Sequence, residues 1–555
     1  MTSEYNESIK ILAREKVISA AIDTLATRRA NATLCRRSYV REVRDKLVAE
    51  GSYDAKVAAK LSDETVDRWE GFYDSVTQSR DAQNLKVAYL CGPNPENDLR
   101  VFCAAGILPE NIWAFESDDA VYGQAVSSAL ASEFPFIKIV NGSIDTFIEA
   151  SPMRFDIIYL DFCGPLPSRN KKQKTLLAVS RILARHALNS PGALITNVSL
   201  PTEVGDAKGR SLLAKLVAIY LYPKEFLEGE ADTTPEGPIA QGYEFDEWLT
   251  IVTQDLENYY GQFVTRVLMD HASFISPYNR FPKTSRIFSN FFKKLSDVER
   301  KALVESAFHF LQSDENNDIS VSQSEQSDSD DFEISGGGDV IVDAGQYPVL
   351  WAFAALDRKT NAKDPNYPQW VYADPDFNAF AELFLSQLRV DGQKDELVKN
   401  TCELTFSMLA ERDAKTLAAP LAGVVNGHYF NHYHQFCDLV LGHQVVELLF
   451  RQIAVPYHVN VDKTERWRYQ AKDTPMFMDL TILDECRYLY DWMPTIEMFT
   501  AGFSDIERQL SYRFALDAVS KHRRWYNSEY FFGTAVIDQY TEPFEARILK
   551  PRVEL

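Results

Sequence analysis

The feature that most constrains this chain is the stretch from residue 86 to about 201. In it, short apolar runs alternate with helical patterns. Segments 86–90, 111–116, 136–140, 155–161 and 193–197 have the length and the β-branched or aromatic content of buried strands. Between them, 98–105, 119–132 and 173–188 carry apolar residues at helical spacing. Strands that alternate with helices require a parallel sheet with right-handed crossovers, and the helices must cover both faces. The predicted fold class is therefore α/β, with a Rossmann-like sheet over 86–201.

The flanking segments differ in character. Residues 1–85 predict a helical region, with Ile9, Leu12, Val17, Ile18 and Ala21 at roughly helical spacing. Residues 202–312 predict a mostly helical extension. Residues 313–344 hold ten acidic residues, no Lys or Arg, and the run Gly336, Gly337, Gly338. Such a segment buries too little apolar surface to offset its ordering entropy, so it predicts a disordered acidic linker. Residues 345–555, rich in aromatics, predict a separate and mainly helical C-terminal domain for substrate or partner recognition.

Charge and cysteine usage exclude several classes. The net charge of −22 divides into −5 before the linker, −10 within it and −7 after it. The overall balance argues against indiscriminate phosphate binding. The first 60 residues nonetheless carry +4, with Arg28, Arg29, Arg36, Arg37, Arg41, Arg44 and Lys46 close together. That cluster is either a solvated helix face or a contact for nucleic acid or an acidic partner. No apolar run of about 18 residues predicts a membrane span. The polar start, with Glu4 and Glu7, is unlike a signal peptide. Seven cysteines stand singly with no CxxC pair, which fits a reducing, cytoplasmic setting.

In doubly wound sheets, ligands bind beyond the carboxyl ends of the strands. After the first strand come Cys91, Gly92, Pro93 and Asn94, where Gly92 lets a ligand approach the backbone. The second strand ends in Glu116, followed by Ser117. A carboxylate there can accept hydrogen bonds from both hydroxyls of a ribose. The third strand is followed by Ser143 and Asp145, and Asp145 is placed to accept from an adenine amino group. The fourth ends in Asp161, Phe162, Cys163 and Gly164.

In this order and spacing, the four loops resemble those of class I S-adenosylmethionine-dependent methyltransferases over about residues 85–200. The resemblance implies S-adenosylmethionine as cofactor, bound by Cys91, Gly92, Asn94, Glu116, Ser117, Ser143 and Asp145. It also implies that Asp161, Phe162 and Cys163 face the methyl acceptor. The string YLDFCGPLPS is similar to the fourth-strand motif of enzymes that methylate nucleobase amines. It implies a nucleic-acid base as substrate, with Asp161 orienting an exocyclic amine and Phe162 holding the base. Two departures stand out, the first loop and Phe162, which stands where enzymes that methylate amines usually have Pro. The first loop has one glycine and two prolines, Pro93 and Pro95, where the family has a glycine-rich turn. Cys163 also offers a thiolate alternative, attack on a pyrimidine. A scaffold subunit without catalysis, bound to a protein partner, is the other reading.

Three further clusters lie in the C-terminal segment. His428, His432, His434, His443 and His458 fall close together, with Cys437 and Asp438 between them, and are either packing, a metal site or a direct substrate contact. Arg466, Trp467 and Arg468, and Arg523, Arg524 and Trp525, interleave basic and aromatic residues. That pattern suits phosphate contact with base stacking, or else a helix whose aromatics face the core.

Overall fold

The computed structural model describes residues 7–49, 55–170, 174–222, 245–280, 373–389, 451–493 and 549–555, with isolated positions elsewhere. The acidic segment 313–344 lies outside the described residues. Among the described residues, the center of the fold is a nine-stranded mixed sheet with the order β3-β2-β1-β4-β5-β8-β7-β9, and β6 paired to β8. Strands β1 (Val87–Leu90), β2 (Ile112–Glu116), β3 (Lys138–Asn141), β4 (Phe155–Asp161) and β5 (Leu188–Ser199) are mutually parallel, a Rossmann-like arrangement. The chain steps outward from β1 to β3, then crosses back to place β4 on the other side of β1. This reversal opens a crevice at the carboxyl ends of β1 and β4.

The parallel strands are apolar on both faces because both faces are covered. Ala88, Ile158, Leu160 and Leu194 point into one core. Val87, Tyr89, Ile157, Tyr159 and Ile195, their alternates, point into the other. The second core also holds Ala13, Val17, Ile18 and Ala21 of α1 (Ser8–Ile22). The first holds α8 (Thr175–Ala184), α9 (Glu203–Leu221) and α11 (Leu256–Asp270).

Two expectations are corrected. Helix α8 is shorter than the predicted 173–188. His186 takes a positive φ of 53°, which ends the helix, and β5 begins at Leu188 rather than 193. The turn-forming residues Asn189 and Ser190 sit inside this long strand because their side chains bond Asp156 and Asp484. The larger correction concerns 345–555. Its described residues include β6 (His458–Val459), β7 (Glu465–Ala471), β8 (Thr474–Asp484) and β9 (Val553–Glu554), which join the same sheet rather than a separate helical domain. Strand β8 runs antiparallel beside β5, and β7 returns antiparallel to β8 through the two-residue turn Lys472–Asp473. All but the first residue of β8 are buried, so the period of two that marks a half-exposed strand is absent. One helix from this segment, α13 (Pro375–Gln387), packs on α8 and α9.

The N-terminal basic cluster is neutralized within the chain. Helix α4 (Asp63–Thr77) carries Asp63, Asp67, Glu70 and Asp74 at spacings of four, three and four, which places them on one face. Arg37 pairs with Glu70 and Asp74, Arg41 with Asp67 and Glu70, and Arg44 with Asp63. Three arginines of the cluster thus have their acidic partners on this chain's own helix, and Arg28 and Arg36 pair with Asp23 and Glu42. Among the described residues, no helix is long and apolar enough to cross a membrane. Cys35, Cys91, Cys103, Cys163 and Cys486 are unbridged.

His271, just after α11, is fully buried, and neither ring nitrogen has a partner among the described residues. Burial lowers its pKa to about 3. Since the folded value lies below the unfolded value of about 6.5, this group contributes full stability above pH 6.5 and loses it as pH falls toward 3. The expected loss is about 1.4 kcal/mol per pH unit in that window. Urea unfolding at pH 7 and pH 5 should show His271→Leu losing about 2 kcal/mol less than the parent. Equal losses would mean that His271 is not buried in neutral form.

Candidate functional site

A cavity of about 460 Å³ lies at the carboxyl ends of β1 to β4, within the range of small-molecule sites. All ten residues predicted for the site line it: Cys91, Gly92, Asn94, Glu116, Ser117, Ser143, Asp145, Asp161, Phe162 and Cys163. The strand order arranges them in sequence across the cavity, from Ser143 and Asp145 past Glu116 and Gly92 to Asp161.

At the first loop, Gly92 adopts φ +56°, a left-handed conformation that favors glycine. No atom lies within 4 Å of the place a Cβ would occupy, so the backbone is open there. Pro95 then leads into α5 (Glu96–Ala104), whose first turn carries Glu96 and Asp98. Asn94 Oδ1 accepts from Ser128 Oγ at 3.4 Å. The Cys91 side chain is buried, which pushes its thiol up to about 12. Cys91 therefore serves packing and supplies backbone to the wall.

Glu116 closes β2. Its Oε1 accepts from the Asp118 backbone N–H at 2.8 Å, and no other group among the described residues bonds the carboxylate. The helix cap that follows is Asp118, which accepts from Ala120 N and Val121 N at the start of α6 (Asp119–Ala131). Glu116 is thereby left for a ligand. At the end of β3, Ser143 precedes α7 (Ile144–Ala150) and shares a hydrogen bond with Thr146 Oγ1. Asp145 is already engaged, because Arg181 of α8 reaches its Oδ2 at 2.5 Å. An adenine amino group would share Asp145 with this guanidinium.

Asp161 ends β4. Its Oδ1 accepts from Asn197 Nδ2 of β5 at 2.8 Å, and Asn197 Nδ2 also donates to Tyr469 Oη at 2.8 Å. Burial raises the Asp161 pKa, opposed by the Asn197 hydrogen bond and by Arg14. Phe162 is only 9% exposed and belongs to the core although it also lines the cavity, which leaves little surface on which a base could stack. Cys163 is exposed, but its dense surroundings and the Asp161 charge push its thiol up to about 11. A neutral thiol is a poor nucleophile, which argues against the thiolate route.

Four other charged residues line the cavity; Asp98 directly follows the first loop, whereas the sequence carries no local sign of Arg14, Lys174 or Arg181. Arg14, from α1, pairs with Asp98 of α5, and both are largely buried. Burial pushes the Asp98 carboxyl up to about 6, with Arg14 opposing. Lys174 and Arg181 line the opposite wall. Arg14 and Asp98 stand 84 positions apart, so only the packing of α1 on α5 and β7 brings them together.

The C-terminal clusters resolve differently. Arg466 and Trp467 are 2% and 5% exposed, and Arg468 pairs with Glu554 at 2.7 Å and Glu257 at 3.7 Å. Arg466 and Trp467 are therefore buried in β7 and not presented as an exposed basic-aromatic patch, while the partly exposed Arg468 is paired. His458 is buried and shares a 2.7 Å hydrogen bond with Tyr490 Oη. The residues His428, His432, His434, Cys437, Asp438, His443, Arg523, Arg524 and Trp525 lie outside the described residues. Among the described residues, no group of His, Cys, Asp or Glu is placed to hold a metal ion. No protein-family model, curated protein or solved structure matches the chain.

The burial of Trp467 sets an expectation. Trp467→Ala should destabilize the fold by about 3–5 kcal/mol in denaturant unfolding. A change under about 1 kcal/mol would return Trp467 to the surface.

Proposed function

We propose that the chain is an S-adenosylmethionine-dependent methyltransferase whose acceptor is an amine nitrogen, such as that of a nucleic-acid base, held at Asp161. The observation that carries this reading is the open Glu116 carboxylate at the end of β2, facing the same cavity as Gly92 and Asp161. Three further features support it. The sheet order, with reversed β8 between β5 and β7, is compatible with a methyltransferase-like fold. The open space at Gly92 leaves room for a ligand against the first loop. Four carboxylates, Asp98, Glu116, Asp145 and Asp161, face three cations, Arg14, Lys174 and Arg181, a balance that suits a cationic ligand.

When bound, S-adenosylmethionine supplies an electrophilic methyl group. The chain's own residues bind and orient. Glu116 accepts from the ribose hydroxyls. Asp161, when ionized and steadied by Asn197, accepts an N–H of the acceptor and turns the nitrogen lone pair toward the cavity. The nucleobase part of the proposal rests on the Asp161 motif and not on the strand residues 466–468, of which Arg466 and Trp467 are buried and Arg468 is paired with Glu554.

A second reading has a specific observation of its own. The Arg181–Asp145 ion pair engages the carboxylate that would accept from an adenine amino group, and Pro93 and Pro95 stand where the family has a glycine-rich turn. Both features fit a methyltransferase-like scaffold that no longer binds cofactor and serves a protein partner.

Calorimetric titration with S-adenosylmethionine separates the two. Binding in the micromolar range supports the enzyme, and no heat or thermal shift at millimolar cofactor supports the scaffold. Glu116→Ala should weaken binding by about 10–100-fold, the worth of one or two hydrogen bonds to a charged acceptor. Asp161→Ala should keep binding and lose turnover. The form of Asp161 that accepts the hydrogen bond is gained as pH rises through its folded pKa. The acid limb of turnover should therefore lie above the ordinary Asp value of about 3.9. Asn197→Ala, which removes the bond favoring the ionized form, should move that limb higher still. A limb unmoved by Asn197→Ala would dissociate the pH dependence from Asp161.

A further inference from the structure

The N-terminal helix contributes a charged group to the cavity that none of the strand-end loops supplies. Arg14 projects from α1, and its Nε is tied to Asp98 Oδ1. Asp98 is itself buried in the first turn of α5, directly after the Gly92 loop. Arg14 is thus held at one nitrogen, while its two Nη groups have no hydrogen-bond partner among the described residues. A guanidinium fixed in this way presents a planar pair of donors with little entropy left to lose on binding.

The strand order says which part of a ligand would meet it. Across the crevice run the ends of β3, β2, β1 and β4, bearing Asp145, Glu116, Gly92 and Asp161. Neighboring strands lie about 4.8 Å apart, so the outer two ends are separated by about 14 Å. A nucleoside placed with its ribose on Glu116 and its base toward Asp145 sends its 5′ substituent toward Gly92 and Asp161. That is the end at which Asp98 fixes Arg14. Asp161 and Asp98 also disfavor a ligand with only negative charge there, whereas a zwitterionic tail satisfies both signs.

We propose that Arg14 binds the carboxylate of an amino-acid tail on the nucleoside ligand through its Nη groups, with Asp98 as the positioning residue that holds the guanidinium. The inference rests on the cofactor reading above and deepens it. It makes α1 part of the binding site and the tail carboxylate a recognized feature of the ligand.

The test compares two nucleosides that share adenine, ribose and a 5′ thioether. S-adenosylhomocysteine carries the amino-acid tail, and 5′-methylthioadenosine lacks it. Affinities for the full chain are measured by calorimetry. Arg14→Ala should weaken S-adenosylhomocysteine by about 10–100-fold, the worth of a charge-assisted bidentate contact, and 5′-methylthioadenosine by less than about threefold. Because Arg14→Ala leaves Asp98 buried without its partner, the double variant Arg14→Gln with Asp98→Asn is measured beside it. It removes the buried charges, keeps the shape and should show the same selective loss. The methylthioadenosine affinity reports in each variant whether the pocket is intact. If the parent binds both nucleosides and neither variant separates them, Arg14 does not bind the tail and the cofactor reading stands. If the parent binds neither nucleoside, the cofactor reading falls and this inference with it.

Discussion

The pairing of β5 with β8 is the interaction on which the rest of this structure depends. Eight residue pairs, from Gly192 with Leu483 to Ser199 with Met476, join the parallel sheet to a hairpin nearly 300 positions later in the chain. The buried carboxylate of Asp484 locks the junction. It accepts from Leu34 N, Ser190 Oγ, Cys486 N and Tyr488 Oη, and so ties the N-terminal segment, β5 and the end of β8 to one point. A buried carboxylate with four donors is stable where an unsatisfied one would be very costly. With the hairpin in place, α1 has β7 and β8 to pack on, and only then does Arg14 reach the cavity.

Charge is managed throughout by pairing inside the chain. The arginines at 37, 41 and 44 meet the acidic face of α4, and Arg468 meets Glu257 and Glu554. Exposed pairs of this kind contribute little stability individually. Their consequence here is that the positive charge of these arginines is balanced locally. The cavity differs. There Glu116 keeps lone pairs and Arg14 keeps donors that no described group uses, so both signs are held ready in one enclosed space. Asp161 stands between these regimes, partly satisfied by Asn197 and raised in pKa by burial.

Much of the site was legible because strand ends are local features. The apolar runs at 87–90, 112–116 and 155–161 end where the polar loop residues begin, and a parallel sheet brings all such ends to one edge. Gly92, Glu116, Asp145 and Asp161 could therefore be placed together without coordinates. The accompanying contacts could not. Whether Asp145 is free depends on Arg181, a helix residue 36 positions away, and the state of Asp161 depends on Asn197 and Tyr469 from two other strands. The strand character of segment 465–484 is hidden in the sequence for a related reason. Interleaved basic and aromatic residues look alike in an exposed helix and in a strand whose arginines are paired, and β8, buried on both faces, shows no alternation.

By itself, the sequence determined the parallel α/β core and the row of candidate ligand-facing residues at its edge. Both follow from periodicity over windows of five to fifteen residues, where the pattern of burial is written directly in the side chains. Only the tertiary structure decided that the C-terminal hairpin completes the sheet, that the N-terminal basic cluster is self-neutralized, and that Arg14 enters the cavity. Each of these depends on contacts between segments far apart in the chain, and such contacts leave no periodic trace because neither partner constrains its own neighbors.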